Sequence, residues 1–280
     1  MFKKKLNRGF PVIRIIIALL LLVVCVYPVF YVFFSSVKTQ QDLMSQKPYE
    51  LPSTITFENY LNIIEQGRIW TYFKNSIIIT FFTVILILLL SSLAGFGLSK
   101  LTFRGKEFLR SYFNLGLMIP IQVALIPLFY TFSQIRLLDT YPAVIIPQVA
   151  FGLAFSIQLF YSFYKFLPND VIESGIIDGC STFRLFWNIV VPMSQNTILT
   201  VATMQSVFCW NEFITTYTLT KSVDMKTVTL GLNDFVGTMG LTDWGGTFAM
   251  IILTILPTMI LYFFTNKYMV SGIAAGAVKG

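Results

Sequence analysis

Long uncharged apolar runs alternate with short polar segments along this chain. Six runs, at 15–37, 75–99, 111–135, 140–164, 196–220 and 244–266, reach the length needed to cross a bilayer, about 20 residues for a helix. Only the fifth holds a charge, Glu212. The pattern predicts an all-α integral membrane protein of six transmembrane helices, at about 12–36, 75–99, 111–133, 141–164, 196–218 and 246–267. The first run follows Lys3, Lys4, Lys5, Arg8 and Arg14 but has no Ala-x-Ala site after it. It is longer than the roughly 7–15 residues of a signal-peptide core, so an uncleaved first span is expected.

The polar segment 165–195 is patterned. After Pro168, Asp170 is expected to cap a helix and Glu173 to complete a capping-box-like pair. That helix is expected to run to Asp178, with Gly179 ending it in the left-handed conformation. Ser181 or Thr182 then caps a second helix running into Pro192. The result is a helix, a glycine turn and a helix. Its apolar residues Val171, Ile172, Ile176, Ile177, Phe183, Leu185 and Phe186 need cover. A partner protein, the underside of the bundle or the membrane surface would each supply it. In the segment 38–74, Thr56 is expected to cap a short helix, and Leu61, Ile64, Trp70, Tyr72 and Phe73 suit an interface.

Composition narrows the classes. The chain is 55% hydrophobic and 12% charged, against about 25% charged in soluble domains. It has no His, which excludes imidazole metal ligands and histidine bases. Cys25, Cys180 and Cys209 lie far apart in or beside apolar sequence, with neither zinc nor disulfide spacing. No metal site and no Gly-x-x-x-x-Gly-Lys-Ser/Thr phosphate loop is present in the sequence.

The net charge of +7 is a topology signal. With the N-terminus inside, inner segments hold thirteen of the twenty Lys and Arg, and outer segments hold eight of the thirteen acids. The positive-inside rule then puts both termini and the 165–195 loop in the cytoplasm. The segments 38–74, 134–140 and 219–245 fall outside. No basic soluble face speaks for nucleic acid. Pro28, Pro120, Pro127, Pro147 and Pro257 sit inside runs, and Gly95 and Gly97 permit close helix approach. Such features fit a bundle that encloses something or moves, and they also fit ordinary transmembrane composition. Glu212 and its neighbour Asn211 lie near the outer end of the fifth run. They would line a pathway, meet a partner subunit, or leave the carboxylate hydrated at the interface.

Glu173, Gly179, Ile189 and Pro192 carry a specific spacing: Glu-x-x-x-x-x-Gly, nine residues, then Ile-x-x-Pro. This resembles the cytoplasmic EAA loop of the permease subunits of ATP-driven importers. Ser174 and Gly175 stand where that family has two alanines, and Val191 where it has leucine. Gly175 should weaken the helix by about 1 kcal/mol against alanine. Glu58-Asn59-Tyr60, Asn75-Ser76, Trp210-Asn211-Glu212-Phe213, Asp243-Trp244-Gly245 and the ending 272–280 extend the resemblance to the sugar-importer branch, the maltose-type second permease.

The resemblance implies a type I ABC importer permease with a cytoplasmic helix-turn-helix coupling loop and no catalysis of its own. It implies a second permease as heterodimer partner, two cytoplasmic ATPases that bind ATP and Mg, and an extracytoplasmic sugar-binding protein, in a bacterial cytoplasmic membrane. Glu173, Ser174, Gly175, Asp178, Gly179, Phe186, Ile189 and Pro192 would couple to an ATPase. Asn211 and Glu212 would face the pathway or the partner permease. Gly276, Val278 and Lys279 would lie near the ATPases, and 221–243, with Gly231, Gly237 and Gly240, would be a flexible segment that meets the binding protein. A secondary transporter and a membrane scaffold are the alternatives. Co-purification of an ATPase and a second permease separates them from the importer.

Overall fold

The computed structural model describes residues 10–235 and 242–277, and these are helical throughout, joined by turns. In chain order the helices are α1 (Phe10–Ser36), α2 (Gln40–Ser45), α3 (Glu58–Glu65), α4 (Arg68–Lys100), α5 (Lys106–Leu115), α6 (Ile121–Gln134) and α7 (Tyr141–Lys165). Then follow α8 (Asn169–Ile177), α9 (Thr182–Leu185), α10 (Val191–Met193), α11 (Gln195–Trp210), α12 (Ile214–Leu219), α13 (Val228–Gly231) and α14 (Trp244–Ala277). Met1–Arg68 with Leu232–Ile255 form one compact unit, and Ile69–Gly231 with Leu256–Gly280 a second.

Four helices among the described residues are apolar and long enough to span a membrane: Val12–Ser36, Arg68–Lys100, Tyr141–Lys165 and Trp244–Asn266. The other two expected spans are interrupted. Residues 111–133 do not form one helix, because Lys106–Met118 and Ile121–Gln134 meet at 94°. Pro120 is the cause. Its ring forces the preceding residue out of the helical region, and Ile119 is extended at φ −92° and ψ 112°. Residues 196–218 divide into α11, of 16 residues, and α12, separated by Asn211, Glu212 and Phe213.

In the first unit, α1 leaves the side chains of residues 12–25 exposed. Its C-terminal end is tied down. The Asn59 amide donates to the carbonyls of Ser36 and Lys38, at 2.9 Å each, and the Ser36 and Tyr60 hydroxyls lie 2.7 Å apart. Terminal carbonyls have no partner within their own helix, so Asn59 serves as their cap from 21 and 23 residues away. The expected Thr56 cap is displaced by one position. Phe57 is the N-cap residue of α3, and the Thr56 hydroxyl accepts from Glu58 N at 3.2 Å. Asp243 caps α14 through Gly246 N at 2.9 Å.

In the second unit, α4 buries Tyr72, Ser76, Ile79, Thr83, Ile87, Ser91 and Gly95. Steps of three and four keep these on one face, and small residues let helices approach closely in a membrane. A methyl group on Gly95 would sit 2.6 Å from Phe160 Cβ and 3.0 Å from Tyr161 N, whereas one on Gly97 would meet nothing within 4 Å. Asn75, 1% exposed, donates to the carbonyls of Asp224 (2.7 Å) and Lys226 (2.8 Å) and accepts from the Tyr141 hydroxyl (2.7 Å). Ser76 Oγ accepts from Val228 N at 2.9 Å. The expected flexible segment is therefore stapled to α4 over its described first part. Gly231 ends α13 with its Cα against the Tyr72 ring, where a side chain would clash. Gly237 and Gly240 lie outside the described residues.

Asp139, between α6 and α7, has φ +63°, a left-handed conformation that Asp tolerates. Its Oδ1 accepts from Lys221 N, Ser222 N and Ser222 Oγ at 2.8, 3.0 and 3.1 Å. Burial raises the Asp139 pKa, but these bonds outweigh it and hold the carboxyl below its ordinary value of 3.8.

Gly95→Ala should lower stability by about 1–3 kcal/mol through overpacking and Gly97→Ala should not, as read by thermal unfolding in detergent. Asp139 should contribute stability above its ordinary pKa and lose it as pH falls through its lower folded value. Between about pH 5 and pH 2, Asp139→Asn should therefore lose less stability than the unsubstituted protein.

Candidate functional site: the 169–193 loop and the broken fifth helix

The loop begins where Lys100, at the end of α4, donates through Nζ to the Leu167 carbonyl and to Asn169 Oδ1, both at 2.7 Å. Asp170 does not cap α8. The N-cap residue is Pro168, with no side-chain cap bond, and Asp170 falls in the first turn. The helix starts directly after the proline, whose fixed φ favours that boundary. Asp170 there faces the positive end of the helix dipole.

The turn is as expected. Gly179 has φ +77°, its N–H donates to Ile176 O, and Cys180 N–H donates to Gly175 O, both at 3.0 Å. This pair of bonds is the Schellman arrangement, which satisfies carbonyls at a helix C-terminus. Ser181 then caps α9 by accepting from Arg184 N at 3.3 Å. The second helix is not uniform. Phe186–Val190 widens into a π-helix, with Val191 N–H bonding Phe186 O, before α10 begins. Pro192 cannot donate to the carbonyl four residues back and its ring would clash there, and the wider turn accommodates it.

The loop sits on a core made with α4, α7 and α11. Ile172, Leu185, Phe186 and Val190 join Phe96, Phe160, Tyr164, Leu167 and Val201 in one buried cluster. Phe186 is 1% exposed and lies 5.4 Å from the Phe96 ring, centroid to centroid. Of the expected coupling residues, Phe186 and Gly175 thus face inward, Ile189 is half-buried, and Glu173, Ser174, Asp178, Gly179 and Pro192 are exposed. A methyl on Gly175 would lie 2.9 Å from the flexible end of Ile189. The residues pointing away from the core are Ile176 (61% exposed), Ile177 (85%) and Phe183 (66%).

Glu212 closes the break between α11 and α12. Its carboxylate accepts from Thr215 N (2.7 Å), Thr216 N (3.2 Å) and the Thr216 hydroxyl (3.2 Å), and its carbonyl accepts from Thr229 Oγ1 (2.9 Å). A carboxylate over helix N–H groups is stabilising. Asn211 bonds back to Val207 O at 2.8 Å. Glu212 also borders a cavity with Gln148 and Gln205. Sequence reasoning did not single out these two glutamines, although each stands inside an apolar run, where polar residues are uncommon and functional. Gly276 ends near the last described residues, and Val278 and Lys279 lie outside them.

The described residues thus hold apolar, membrane-length helices and a folded loop packed on their core. Residues 87–274 match the family described as binding-protein-dependent transport system inner membrane component. The chain belongs to this family, the multi-pass permease subunits of ABC importers. It is 37% identical over 253 residues to a putative ABC transporter permease protein, ORF2, of Caldicellulosiruptor sp., covering 90% of this chain and 91% of that one. It is 30% identical to the diacetylchitobiose uptake system permease protein NgcG of Streptomyces coelicolor, covering 98% and 90%, and 30% identical to the arabinooligosaccharides transport system permease protein AraQ of Bacillus subtilis, covering 97% and 98%. The fold matches a chain in the crystal structure of a bacterial ABC transporter involved in import of the acidic polysaccharide alginate, with a TM-score of 0.84, 19% identity and coverage of 96% and 99%.

Glu212→Ala should destabilise α12 and the break by about 0.5–2 kcal/mol, the cost of losing a cap. Glu212→Gln, which keeps an acceptor oxygen, should recover most of it. Thermal unfolding of both variants in detergent checks this.

Proposed function

We propose that this chain is one of two permeases forming the pathway of an ATP-driven importer for a sugar or oligosaccharide. An extracytoplasmic binding protein delivers the sugar, and two cytoplasmic ATPases bind ATP and Mg. The relatives named for diacetylchitobiose and arabinooligosaccharides support the substrate class. Both termini and the 165–195 loop lie in the cytoplasm, on the excess of Lys and Arg in those segments. The exposed end of α8 and the start of α9 dock in a groove of one ATPase, and 276–279 lies near the ATPase pair. The first part of 221–243 faces the binding protein.

One observation carries the coupling role. Ile177, 85% exposed, stands on a helix whose other face is locked into the core of α4, α7 and α11. A rigid base with an exposed apolar tip transmits displacement instead of absorbing it, because packed cores do not deform continuously. ATPase closure on ATP would push α8, and the buried Phe186 would pass the push to Phe96 on α4. Two helix packings biased by a bound partner give the switch its two states.

Burying an isoleucine contributes about 1.5–3 kcal/mol, so Ile177→Asp should greatly reduce co-purification of the ATPase from detergent. Glu173→Arg should weaken it and lower uptake. Normal ATPase recovery and uptake in both variants would remove the coupling role. A lone homo-oligomer that drives uptake on an ion gradient would remove the importer reading altogether.

A further inference from the structure

In the first unit, a cavity of about 190 Å³ follows one face of α1 to its polar end. Its helix wall is Tyr27, Phe30, Tyr31, Phe34 and Ser35, and Lys38 stands just beyond. Steps of three and four keep such positions on one side of a helix. From Tyr27 to Ser35 the wall climbs about 12 Å, at about 1.5 Å per residue. Tyr27 and Phe30 lie well inside the apolar span Val12–Ser36. The far rim is the segment 48–51, which includes Tyr49 and Glu50.

Lys38 is 3% exposed, and a buried ammonium is costly unless it is paired and hydrogen-bonded. A lysine at a helix C-terminus can spend its charge on the last carbonyls. Here other groups have taken them. Phe33 O accepts from Ser36 Oγ, Phe34 O from Val37 N, and Ser35 O from Lys38 N. The carbonyls of Ser36 and Lys38 accept from Asn59. The nearby acid is occupied as well. Asp42 accepts from Ser53 N, Ser53 Oγ and Gln46 Nε2 at 3.1, 2.6 and 3.1 Å. The Ser53 hydroxyl does most to hold the Asp42 carboxyl below its ordinary 3.8, and Lys38 does least. Among the described residues the Lys38 ammonium thus has neither a hydrogen bond nor an ion pair. Its Nζ is not one of the sealed, unpartnered polar atoms, and the space Lys38 borders is this cavity.

A phospholipid has its parts in the same order as the groove: hydrocarbon chains, a phosphate, then a headgroup. Aromatic side chains are favoured at that level of a membrane, and an ammonium forms strong charge-assisted bonds to phosphate. The rim carries the opposite charge. One Glu50 oxygen accepts from Lys47 N at 3.2 Å, which leaves the other for a cation. We propose that the groove holds a phospholipid with an amine headgroup, such as phosphatidylethanolamine, with its phosphate on Lys38, its ammonium at Glu50 and its chains along Tyr27 and Phe30. The volume suits a headgroup, and the chains remain in the bilayer. A protein carboxylate would also pair with Lys38, but it does not account for a wall that descends into the span. The site does not depend on which cargo the importer carries.

The test is native mass spectrometry of the full chain, with the subunits that co-purify, in mild detergent. The probes are dioleoyl phosphatidylethanolamine, dioleoyl phosphatidylglycerol and soluble glycerophosphoethanolamine. The wild type should retain phosphatidylethanolamine above phosphatidylglycerol, and should not retain the soluble headgroup. Lys38→Met should weaken retention roughly tenfold, the worth of a charge-assisted hydrogen bond, with unchanged or raised thermal stability in lipid-free detergent. Lys38→Arg should keep most of it. Glu50→Gln, at an exposed position, should remove the preference between the two lipids. Equal retention of phosphatidylethanolamine by the wild type and Lys38→Met would overturn the site. So would retention of the soluble headgroup as tight as that of the lipid, or a co-purifying protein that displaces lipid from the wild type and is lost in Lys38→Met. If Lys38→Met does not fold, Glu50→Gln decides alone, and an unchanged lipid preference overturns the site.

Discussion

Hydrocarbon offers no hydrogen bonds, so each backbone N–H and C=O in a membrane-spanning chain must be satisfied by the chain itself. An uninterrupted helix meets this demand automatically, and a broken one has to import partners. Several of the described breaks and helix ends have such partners. At 211–213 the Glu212 carboxylate takes the N–H groups of Thr215 and Thr216, Asn211 takes the Val207 carbonyl, and Thr229 covers the Glu212 carbonyl. At the end of α1, Asn59 takes two carbonyls. At Gly179 the Schellman bonds close α8. Asn211 and Glu212 stand inside an apolar run because the backbone beside them is not a plain helix.

The loop after α7 is held at several points. Lys100 fixes its entry, the glycine turn fixes the angle between α8 and α9, and the π-helix accommodates Pro192 without dissolving the turn. Phe186 then inserts beside Phe96. Ile172, Leu185, Phe186 and Val190 of the loop thus share one buried cluster with Phe96 of α4. The residues that resemble the permease family at this loop divide into an exposed set, Glu173, Ser174, Asp178, Gly179 and Pro192, and an inward-facing set, Gly175 and Phe186, with Ile189 half-buried between them.

Much of this was legible from residue order. Run lengths, turn chemistry at Gly179, the Ser181 cap and the polarity of the 165–195 segment are local properties, and local backbone rules settle them. The single-helix reading of 111–133 and 196–218 failed for the opposite reason. Whether Pro120 bends a span or merely kinks it, and whether Asn211-Glu212 interrupts one, depends on partners supplied from elsewhere. Asp170 and Thr56 show the scale of error at helix starts, where the N-cap position falls on Pro168 and Phe57, one or two residues from the one expected.

By itself the sequence determined that the chain lives in a membrane, that one patterned loop stands apart, and to which family it belongs. Apolar length and motif spacing are one-dimensional quantities, legible before any helix has packed. Only the tertiary structure decided what the polar residues do. Asn75 finds its partners 149 and 151 residues away, Gly95 matters because Phe160 lies against it, and Gln148 stands out because nothing meets it. Satisfaction of a buried polar group is a property of its surroundings, and the surroundings exist only once the helices have packed.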